Sequence, residues 1–484
     1  MVGITSYGGY IPWYRMERMT AYKAMGWLNP AAILPGEKSI ANYDEDSVTM
    51  AVAAARDCLK GIDKKKKKKI DGLYIATTTS PYRQREGAGI IGTALSLQPS
   101  IRTADFTDST KAGTGAILSA YDAIKAGSAK NILVCASDLR KELAGGYQEQ
   151  LYGDSAAALL LGDTDVIASI EGSYSISYDF SDSWRADFDE FERAWEDRWR
   201  RDEGYEKQLT ESIAGLLTKY KLNIKDFAKI VIACHFERAG VAIATKLGAD
   251  SSRVQDSMMR TMGDSGAGYP LVLLVAALEE AKPGDKILVV SYGNGSDALF
   301  LQVTDQIEKV RDNKGIKKWL ARKKMLDNYD KYLAFREEIP MDKGFRGEES
   351  SSTQISALWR GRKSFLGLWG SRCKKCGTPI YPIQRVCVNP DCGAIDEMED
   401  YCFADRKGTL FTYTADLLAY SINPPAIYGV LDFEGGGRFW FDIADCAPES
   451  LKVGMPMEMT FRIKYVEHGR GVSTYSWKAA PVME

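Results

Sequence analysis

Four cysteines in the last quarter of the chain have the spacing of a metal site. They lie in "CKKCGTPIYPIQRVCVNPDCG" as Cys373, Cys376, Cys387 and Cys392, that is, a CxxC pair, ten residues and a CxxxxC pair. Each pair can converge on one side of a tight turn, and four thiolates complete the tetrahedral coordination of Zn²⁺. We therefore predict a structural zinc site with no open position for catalysis. A site that has lost its metal or that binds iron is the alternative.

A second stretch has the form of a nucleophile site but lacks the nucleophile. Residues 104–117 are "ADFTDSTKAGTGAI", a small polar turn followed by a helical pattern. Several enzyme folds place a reactive thiol at such a helix N-terminus, where it ionises easily. This turn contains neither Cys nor His. A Thr hydroxyl in its place is a poor nucleophile unless a dedicated base activates it.

The chain has only two histidines. His235 follows "KIVIAC", which is typical of a buried strand, and an imidazole there can act as an acid or base, although a lone His is often a satisfied core residue. His468 lies in "VEHGRG", and we expect it to be structural or exposed. Cys58, Cys135 and Cys234 lie on apolar segments, where small buried side chains are the expected state.

Composition and charge exclude several classes of function. Hydrophobic residues make up 45%, and 63 Lys plus Arg against 65 Asp plus Glu give a net charge of -2. This balance offers no basic field for nucleic acid or an anionic membrane. The start "MVGITSYGGYIP" lacks the features of a secretory signal, and the longest apolar run, "YPLVLLVAAL", is too short to span a bilayer. We expect a cytoplasmic protein, and we interpret the six lysines 64–69 as a solvated turn.

The pattern of elements divides the chain. Up to about residue 305, short apolar runs alternate with Ala-rich helical patterns, which indicates α/β structure. Residues 306–350 are charged and predict a solvated helix and connector. Residues 351–396 predict a helical lead-in and the cysteine-rich ribbon, and residues 397–484 predict short alternating strands with Gly turns, as in a small closed barrel.

The α/β part contains a weak internal repeat. "AKNILVCASDLR" (129–140) resembles "GDKILVVSYGNG" (284–295), and "IDGLYIATTTSPY" (70–82) resembles "FAKIVIACHFERA" (227–239). One helix of small and apolar residues lies between the members of each pair. The repeat predicts a duplicated, five-layered α/β fold.

Several stretches of this part also carry a family resemblance. They are "SPYRQREGAGIIGTAL", "KAGTGAI", "YDFSDSWRAD", "ACHFERAG" and "GDSGAGYPLVLLVAALEEAKPGDKILVVSYGNGSDA". On these stretches the region 1–305 resembles the thiolase superfamily and, within it, the 3-hydroxy-3-methylglutaryl-CoA synthase branch. The resemblance implies the thiolase-like fold and acyl-CoA as a substrate, with coenzyme A as part of that substrate. It also implies a homodimer through this part of the chain.

The resemblance implies site residues as well. Family members use a Cys in a Cys-Lys-Ala-Gly-Thr turn as the acyl-accepting nucleophile, and Thr110 stands in that position here. Thr79, in "TTTSPY", takes the place of the family's acid/base Glu, whereas the family's His is retained as His235. Asp264 in "GDSG" corresponds to the family's Asn, and Tyr292 keeps the late glycine-turn pattern. The site is therefore remodelled at three positions.

The C-terminal part resembles the DUF35 family. A helical lead-in, "SALWRGRKSFLGLWGSRC", precedes the zinc ribbon, and "GMPMEMTF" belongs to the predicted barrel. The resemblance implies a rubredoxin-like ribbon followed by an OB-fold. It also implies an association with thiolase-like enzymes rather than with nucleic acid, because the basic-aromatic stripe of single-strand binders is missing.

Two classes of function fit these observations. In the first, the protein is an acyl-CoA enzyme that makes or breaks a C–C bond next to the thioester without a Cys acyl-enzyme, by an aldol, retro-aldol or Claisen-type step. In the second, it is a catalytically silent partner that binds acyl-CoA for an active subunit. HMG-CoA synthase activity itself is disfavoured because the nucleophile is absent.

An aldol step needs a base, an oxyanion hole and a group that takes or gives the alcohol proton. We expect His235 to serve as the base or oxyanion donor. Asp264, Tyr292 or Tyr82 would supply the second proton group. Amides near Thr110 and Gly293 would hold the enolate. Retention of His235 beside orderly small polar replacements favours the enzyme.

Overall fold

The computed structural model describes residues 1–311, 314–344 and 353–482. Two compact units divide the chain. Their residues are 1–42, 46–91 and 97–336 for the first unit, and 43–45, 92–96 and 337–484 for the second.

Up to residue 336 the chain alternates strands and helices. The strands are β1 (Gly3–Tyr10), β2 (Tyr14–Glu17), β3 (Glu37–Ile40), β4 (Gly72–Ala76), β5 (Arg102–Phe106), β6 (Ile132–Asp138), β7 (Ser155–Gly162), β8 (Ala168–Ser177), β9 (Ser183–Trp184), β10 (Arg193–Ala194), β11 (Lys229–Ile232), β12 (Lys286–Tyr292), β13 (Gly295–Val303) and β14 (Lys324–Met325). The helices are α1 (Arg18–Met25), α2 (Ser47–Leu59), α3 (Lys64–Lys67), α4 (Gly87–Ala94), α5 (Ala112–Lys125), α6 (Tyr147–Leu151), α7 (Asp197–Trp199), α8 (Lys207–Tyr220), α9 (Glu237–Lys246), α10 (Tyr269–Glu280), α11 (Lys317–Ala321) and α12 (Tyr329–Phe335), and a π-helical turn covers Arg200–Glu206.

The internal repeat appears as two matching halves of a nine-stranded sheet, in the order β11-β12-β13-β8-β1-β7-β6-β4-β5. In the first half β4 pairs in parallel with β6, and β6 continues antiparallel to β7 and then β1. The second half repeats this pattern, since β11 pairs in parallel with β12, and β12 continues antiparallel to β13 and then β8. The halves join where β1 pairs with β8 at Gly3 and Ile4.

The helices add three layers to the two half-sheets. α2 packs on β1, β6 and β7, and α8 packs on β8, β12 and β13. α5 and α10 contact each other, and α10 contacts strands of both halves, so this helix pair forms the middle layer. α10 is buried almost all round, as expected of a helix whose every face is apolar. The duplicated five-layered fold predicted from the repeat is confirmed.

A glycine allows the two central helices to approach closely. A Cβ atom on Gly113 of α5 would lie 2.5 Å from the carbonyl oxygen of Ala267 and 2.8 Å from a methyl carbon of Leu271. Any side chain at Gly113 would therefore push the start of α5 away from α10. Because the "KAGTGAI" turn opens α5, this contact also fixes the position of the turn.

The charged segment after β13 differs from the expected solvated connector. Residues 314–335 contain short elements that pack into the first unit, and Ile316, Leu326 and Tyr332 are buried. β14 pairs in parallel with β2 to complete a small sheet in the order β14-β2-β3. The charged side chains concealed the few apolar positions that anchor the segment. Residues 345–352, which the prediction also covered, lie outside the described residues, and the domain boundaries at 305, 350 and 396 stay predictions.

The second unit contains a helix and two small sheets. Its elements are α13 (Ile355–Gly367), β15 (Trp369–Cys373), β16 (Pro379–Ile380), β17 (Met398–Cys402), β18 (Gly408–Asp416), β19 (Ala426–Phe433), β20 (Arg438–Asp442), β21 (Pro456–Glu467) and β22 (Val472–Pro481). The ribbon sheet has the order β16-β15-β17, and the last five strands have the order β20-β19-β18-β21-β22. A parallel bridge between Ile443 and Ala479 connects the two ends of the five-stranded sheet, so the sheet closes as the predicted barrel.

Within the described residues, 1–311, 314–344 and 353–482, no helix is both long and apolar enough to cross a membrane.

Candidate functional site

A cavity of about 720 Å³ opens in the first unit at the carboxyl ends of β4, β5 and β12. Thr79, Thr110 and Tyr292, three of the predicted site residues, line it together. The other lining residues are Thr78, Asp108, Ser109, Arg140, Lys141, Ser181, Asp182, Ser183, Trp184, Arg185, Glu192, Trp195, Arg200, Tyr205, Gly293 and Asn294. We call this space the first cavity.

The hydroxyl of Thr110 is committed to the main chain. Its Oγ1 donates a hydrogen bond to the carbonyl oxygen of Tyr292 at 2.7 Å, and Ser109 Oγ donates to the carbonyl oxygen of Gly293 at 2.9 Å. A Cβ on Gly293 would lie 2.5 Å from Ser109 Oγ, so only glycine fits against this turn. Both hydroxyls therefore hold the start of α5 against the end of β12.

The expected enolate donors are only partly available. The amide of Gly293 itself donates to the carbonyl oxygen of Gly295 at 2.9 Å, and an oxyanion site at the amides near Gly293 stays a prediction. The amides of Ser109 and Thr110 make no intramolecular hydrogen bond to any described residue. These two N–H groups at the start of α5 can donate hydrogen bonds to a negatively charged oxygen.

Thr79 is equally committed. Its Oγ1 donates to the carboxylate of Asp138 at 2.9 Å and accepts from the amide of Leu139 at 2.9 Å. Asp138, fully buried at the end of β6, also accepts hydrogen bonds from Thr77, Thr78 and the amide of Ala267. Thr79 is thus part of a hydrogen-bond network around the buried Asp138, and this network shapes the cavity wall.

Tyr292 faces a carboxylate that the sequence analysis did not single out. Its hydroxyl donates to Asp182 Oδ2 at 2.8 Å, and both side chains are buried. Burial and the neighbouring charge of Asp182 raise the pKa of Tyr292 above its ordinary value. The pair is a phenol and a carboxylate joined by one hydrogen bond, along which a proton can transfer.

His235 and Asp264 do not line the first cavity; they lie behind Tyr205. The Nδ1 atom of His235 is 3.2 Å from Asp264 Oδ2 and 3.1 Å from Tyr205 Oη. The Tyr205 ring stacks on the Tyr292 ring, with centroids 3.8 Å apart, and Tyr205 does line the cavity. His235, the expected base or oxyanion donor, is therefore connected to the first cavity through contacts with Tyr205.

The charge state of this pair follows from its surroundings. Burial lowers the pKa of His235, although the hydrogen bond with Asp264 opposes the shift. Burial acts to raise the pKa of Asp264, but the hydrogen bond with His235 and the charge of Arg140 outweigh it, so the pKa lies below its ordinary value. Burial thus favours the neutral imidazole, and the ionised Asp264 carboxylate favours the tautomer with its proton on Nδ1.

A second cavity of about 250 Å³ lies on the other side of His235. Its lining is rich in arginine and also includes apolar side chains, namely Arg18, Leu34, Pro35, Tyr147, Leu151, Arg201, His235, Phe236, Glu237, Arg238, Ala239, Met259 and Arg260. Arg18 Nη2 and His235 Nε2 are buried without a hydrogen-bond partner among the described residues. Two unsatisfied polar atoms beside this arginine-lined space suit an anionic or polar ligand.

The remaining candidates lie elsewhere. Tyr82 is outside the lining of the first cavity, and its hydroxyl accepts a hydrogen bond from Arg85 at 2.7 Å. Cys58 and Cys234 are buried as expected, and burial raises the pKa of each thiol to about 12. None of the lining residues of either cavity is a cysteine.

The lysine run is far from the first cavity along the sheet. It forms α3 at the amino end of β4, whereas Thr78 and Thr79 follow the carboxyl end of the same strand. The prediction of a solvated turn agrees with the exposure of most of these lysines.

The four predicted metal ligands come together in the second unit. The Sγ atoms of Cys373, Cys376, Cys387 and Cys392 all lie within 4.8 Å of one another. Two of the separations are 3.8 Å, between Cys373 and Cys392, and 3.4 Å, between Cys376 and Cys387. Tetrahedral zinc with bonds of about 2.3 Å requires sulfur atoms ~3.8 Å apart, so the cluster has the size of a Zn(Cys)₄ centre.

The first unit matches known enzymes in sequence. A hydroxymethylglutaryl-CoA synthase of Thermococcus sibiricus is 32% identical over 332 residues, which cover 67% of this chain and 93% of the relative. The enzyme of the same name from Caldivirga maquilingensis is 31% identical over 354 residues, which cover 71% and 99%. The chain belongs to the hydroxymethylglutaryl-CoA synthase family.

A solved structure of this family shares the fold. The crystal structure of an HMG-CoA synthase complexed with CoA superposes with a TM-score of 0.62 at 20% identity and covers 73% of this chain and 94% of that one. In the second unit, the family described as "ChsH2, rubredoxin-like zinc ribbon domain" matches residues 367–396, and "ChsH2, C-terminal OB-fold domain" matches residues 403–462. This HMG-CoA synthase family member thus carries a zinc ribbon and an OB-fold.

Several cavity residues have no local signal in the sequence. Tyr205 comes from a π-helical turn, and Arg140 meets Glu192 across 52 residues of chain. Asp182 lies inside "YDFSDSWRAD", a stretch singled out only as part of the family resemblance. The one available signal was this stretch of charged and aromatic residues in a chain segment with little regular structure.

Proposed function

We propose that this protein is an acyl-CoA enzyme that makes or breaks a C–C bond next to a CoA thioester by an aldol or retro-aldol step. The observation that carries the proposal is the hydrogen bond from Thr110 Oγ1 to the carbonyl oxygen of Tyr292. A hydroxyl held in this way points its proton at a main-chain carbonyl and not at a base. Thr110 therefore does not act as an acyl acceptor. Since the family acts on acyl-CoA, we infer a reaction of acyl-CoA that proceeds without an acyl-enzyme.

The proposed reaction needs no net gain or loss of protons. The protein group that takes the hydroxyl proton and the group that protonates the α-carbon return to their starting states by proton exchange with solvent. In the cleavage direction the β-hydroxyl of a 3-hydroxyacyl-CoA loses its proton and the bond between the α- and β-carbons breaks. The electron pair moves onto the thioester as an enolate, and a proton then adds to the α-carbon. The products are a carbonyl compound and a shorter acyl-CoA, and condensation is the reverse.

Tyr292 and Asp182 are the proposed group for the hydroxyl proton. The substrate hydroxyl donates to Tyr292 Oη while the Tyr292 proton moves to Asp182 Oδ2 over the 2.8 Å hydrogen bond. The raised pKa of Tyr292 keeps its phenol protonated, so the proton needs the carboxylate as its acceptor. The free amides of Ser109 and Thr110 support the proposed oxyanion site for the enolate.

Tyr205 is the proposed proton donor to the α-carbon. Burial raises the pKa of Tyr205 well above its ordinary value, so it too remains a phenol. With the His235 proton on Nδ1, Tyr205 Oη accepts from the imidazole and its own proton is free to point into the first cavity. His235 and Asp264 then act through Tyr205 as positioning residues on the side of the first cavity.

The second cavity supports a role in holding the CoA part of the substrate. Arg18, Arg238 and Arg260 line it, and CoA carries phosphates that guanidinium groups bind well. The wall between the two cavities is the Tyr205–His235 pair.

The ribbon fits a structural zinc ion. Cys373, Cys376, Cys387 and Cys392 would hold it, and the metal would supply folding energy rather than catalysis, because four thiolates leave no open position. A homodimer through the first unit is proposed from the family resemblance alone.

A silent acyl-CoA-binding subunit is the second candidate. The observation that favours it is that Thr110 and Thr79, at the positions of the family's Cys and Glu, serve only to brace the fold. It predicts binding of CoA esters without turnover.

Turnover of 3-hydroxyacyl-CoA esters separates these functions. Wild type should release a shorter acyl-CoA and a carbonyl product, measured by chromatography of the CoA species. Tyr292→Phe should lower turnover by roughly 10²–10⁴-fold, as expected for a positioned acid or base, while affinity for the ester changes little. Tyr178→Phe removes an exposed hydroxyl that donates to Glu211, outside both cavities, and is the matched control.

Two outcomes contradict the proposal. Binding of CoA esters without cleavage or condensation of any of them, also when a partner subunit is supplied, supports the silent subunit. An acyl group found on Thr110 by mass spectrometry after incubation with acetyl-CoA overturns the non-covalent mechanism.

A further inference from the structure

A hairpin in the first unit carries two carboxylates to the site. β9 and β10 pair at Trp184–Arg193 and Ser183–Ala194, and the amide of Trp195 donates to the carbonyl oxygen of Asp182. Asp182 at the start of the hairpin accepts from Tyr292, and Glu192 near its end reaches Arg140. We call residues 182–195 the hairpin.

Glu192, a half-buried residue, holds the end of the hairpin in place. Its carboxylate forms a two-point ion pair with Arg140, at 2.9 and 2.5 Å, and accepts from Tyr152 Oη at 2.9 Å. The Arg140 side chain is only 3% exposed, and its guanidinium lies 3.4 Å from the centre of the Tyr152 ring. Paired, stacked and desolvated contacts of this kind fix both partners closely.

The outer part of the hairpin is held less firmly. Glu190 pairs with Lys141 at 2.7 Å, but the Glu190 side chain is 58% exposed. Phe188 is 87% exposed and Trp195 is 61% exposed. Exposed pairs add little stability, so the contacts of Asp182 with Tyr292 and of Glu192 with Arg140 dominate the docking of the hairpin.

Arg140 links the hairpin to the imidazole. Its Nη1 atom lies 3.4 Å from Asp264 Oδ2, a distance at which the charges attract, and makes no hydrogen bond in the described part of the chain. The same Oδ2 atom is 3.2 Å from His235 Nδ1. Arg140 therefore interacts electrostatically with both Glu192 and Asp264. Asp264 in turn interacts with both Arg140 and His235.

We propose that Glu192 is a positioning residue for the site: docking of the hairpin, through Glu192 and Arg140, sets how strongly Asp264 holds His235. With the carboxylate in place, Arg140 is largely neutralised and Asp264 is free to fix the imidazole. Without it, Asp264 is the carboxylate that remains in an ion pair with Arg140 among the described residues, and Arg140 draws it away from His235. The docking of the hairpin, which lines the first cavity, and the state of His235 are thereby coupled. The proposal concerns the site of the proposed reaction, but its test requires no turnover.

The charges around His235 come from several elements. Asp264, Arg140 and Arg200 act on it, and Tyr205 shares its Nδ1 atom. The charged and titratable side chains on the wall of the second cavity are Arg18, Tyr147, Arg201, Glu237, Arg238 and Arg260. Only Arg140 among these groups is bound directly to the hairpin.

The experiment uses the two histidines of the full chain. Protein labelled with ¹⁵N in histidine gives imidazole signals from His235 and His468 alone, and His468, 72% exposed, is an internal reference. In wild type, His235 should be neutral at pH 7 with its proton on Nδ1. Glu192→Gln keeps the shape of the side chain and removes its charge. This variant should change the His235 ¹⁵N shifts and lower its titration midpoint by roughly half a pH unit or more, because a hydrogen bond to a carboxylate is weakened.

Glu190→Gln is the matched control, since Glu190 lies on the same hairpin and, within the described part of the chain, forms its ion pair with Lys141 alone. It should leave both histidine signals as in wild type. Amide hydrogen exchange across residues 182–195 should quicken in Glu192→Gln and not in Glu190→Gln.

Identical His235 signals in wild type and Glu192→Gln, in a protein that melts normally, overturn the coupling. If Glu192→Gln and Glu190→Gln shift the His235 signals equally, the assignment of the coupling to Glu192 is overturned. Absence of aldol activity affects neither measurement.

Discussion

Glu142 is an ionisable side chain that the fold buries without compensation. It is 5% exposed, and its Oε1 atom has no hydrogen-bond partner among the described residues. Burial, together with the charge of Glu192, raises the pKa of Glu142 from 4.5 to about 9, although Arg140 opposes the shift. The carboxyl group is therefore protonated in the folded protein at neutral pH.

A raised pKa in the folded state makes stability fall as pH rises. The contribution of Glu142 is fully present below its unfolded value of 4.5 and is lost progressively up to about pH 9. Glu142→Gln removes this titration and keeps the shape. The variant should melt higher than wild type at pH 8, by up to about 4 kcal/mol in unfolding free energy, and differ little at pH 4.5.

Thermal unfolding followed by circular dichroism at both pH values measures the effect. Glu203→Gln, on an exposed ion pair with Lys207, is the control and should show no such pH dependence. A Glu142→Gln protein that is less stable than wild type at pH 8 would show that the native carboxyl is ionised.

Single residues also show what the sequence could predict of the site. Thr110, Thr79 and Tyr292 were located because each lies at a fixed place in a turn that the family shares. Their hydrogen bonds were not predictable, because the partner of Thr110 is a carbonyl oxygen 182 residues away. Tyr205 and Arg140 had no motif, since their roles arise only where the fold brings His235 and Asp264 behind the cavity wall.

At the scale of elements, the zinc ribbon is the part most fully defined by spacing. Cys373 ends β15, Gly377 with a φ of +78° closes the first turn, and Gly393 with a φ of +52° closes the second. The left-handed backbone at these two positions favours glycine and lets each cysteine pair face inward. Spacing predicts such a centre because the ligands are local in sequence.

Loss of one ligand tests the ribbon. Purified protein should contain about one zinc per chain, and Cys376→Ser should lose it, because three thiolates bind zinc much more weakly. The ribbon should then unfold, since metal binding and folding are coupled in such small domains. Elemental analysis and proteolysis between residues 369 and 402 measure both effects.

Cys402→Ser is the control, because Cys402 lies outside the four-thiol cluster. It should keep its metal. Freshly purified wild type without any metal would contradict the zinc assignment, and iron in place of zinc would change the identity of the ion.

Elements of the α/β part were predictable for a different reason. The repeat and the apolar runs determine which strands are central, because a strand buried on both faces must be apolar throughout. The charged segment 314–335 was misjudged, since a few buried positions, such as Ile316 and Tyr332, decide its packing and leave the average composition polar. The average composition of a segment therefore predicts the packing of central elements better than that of edge elements.

At the scale of the molecule, all residues that line either cavity belong to the first unit. The apolar cores around α10 and α8 also consist of residues up to 316. The second unit has its own closed barrel and thiol cluster. Binding of a CoA ester should therefore depend on the first unit alone.

A fragment of residues 1–336, which contains the first unit together with residues 43–45 and 92–96, tests this expectation. It should fold, with cooperative thermal unfolding, because the apolar cores around α10 and α8 lie within it. It should also bind a 3-hydroxyacyl-CoA with an affinity within about threefold of the full chain, a difference below ~1 kcal/mol. Isothermal titration calorimetry measures the affinity, and Arg238→Ala in the same fragment, which removes a guanidinium from the second cavity, should weaken it. A fragment that melts cooperatively but binds no ester would show that residues after 336 contribute to the site. In that case the ribbon and the OB-fold take part in substrate binding.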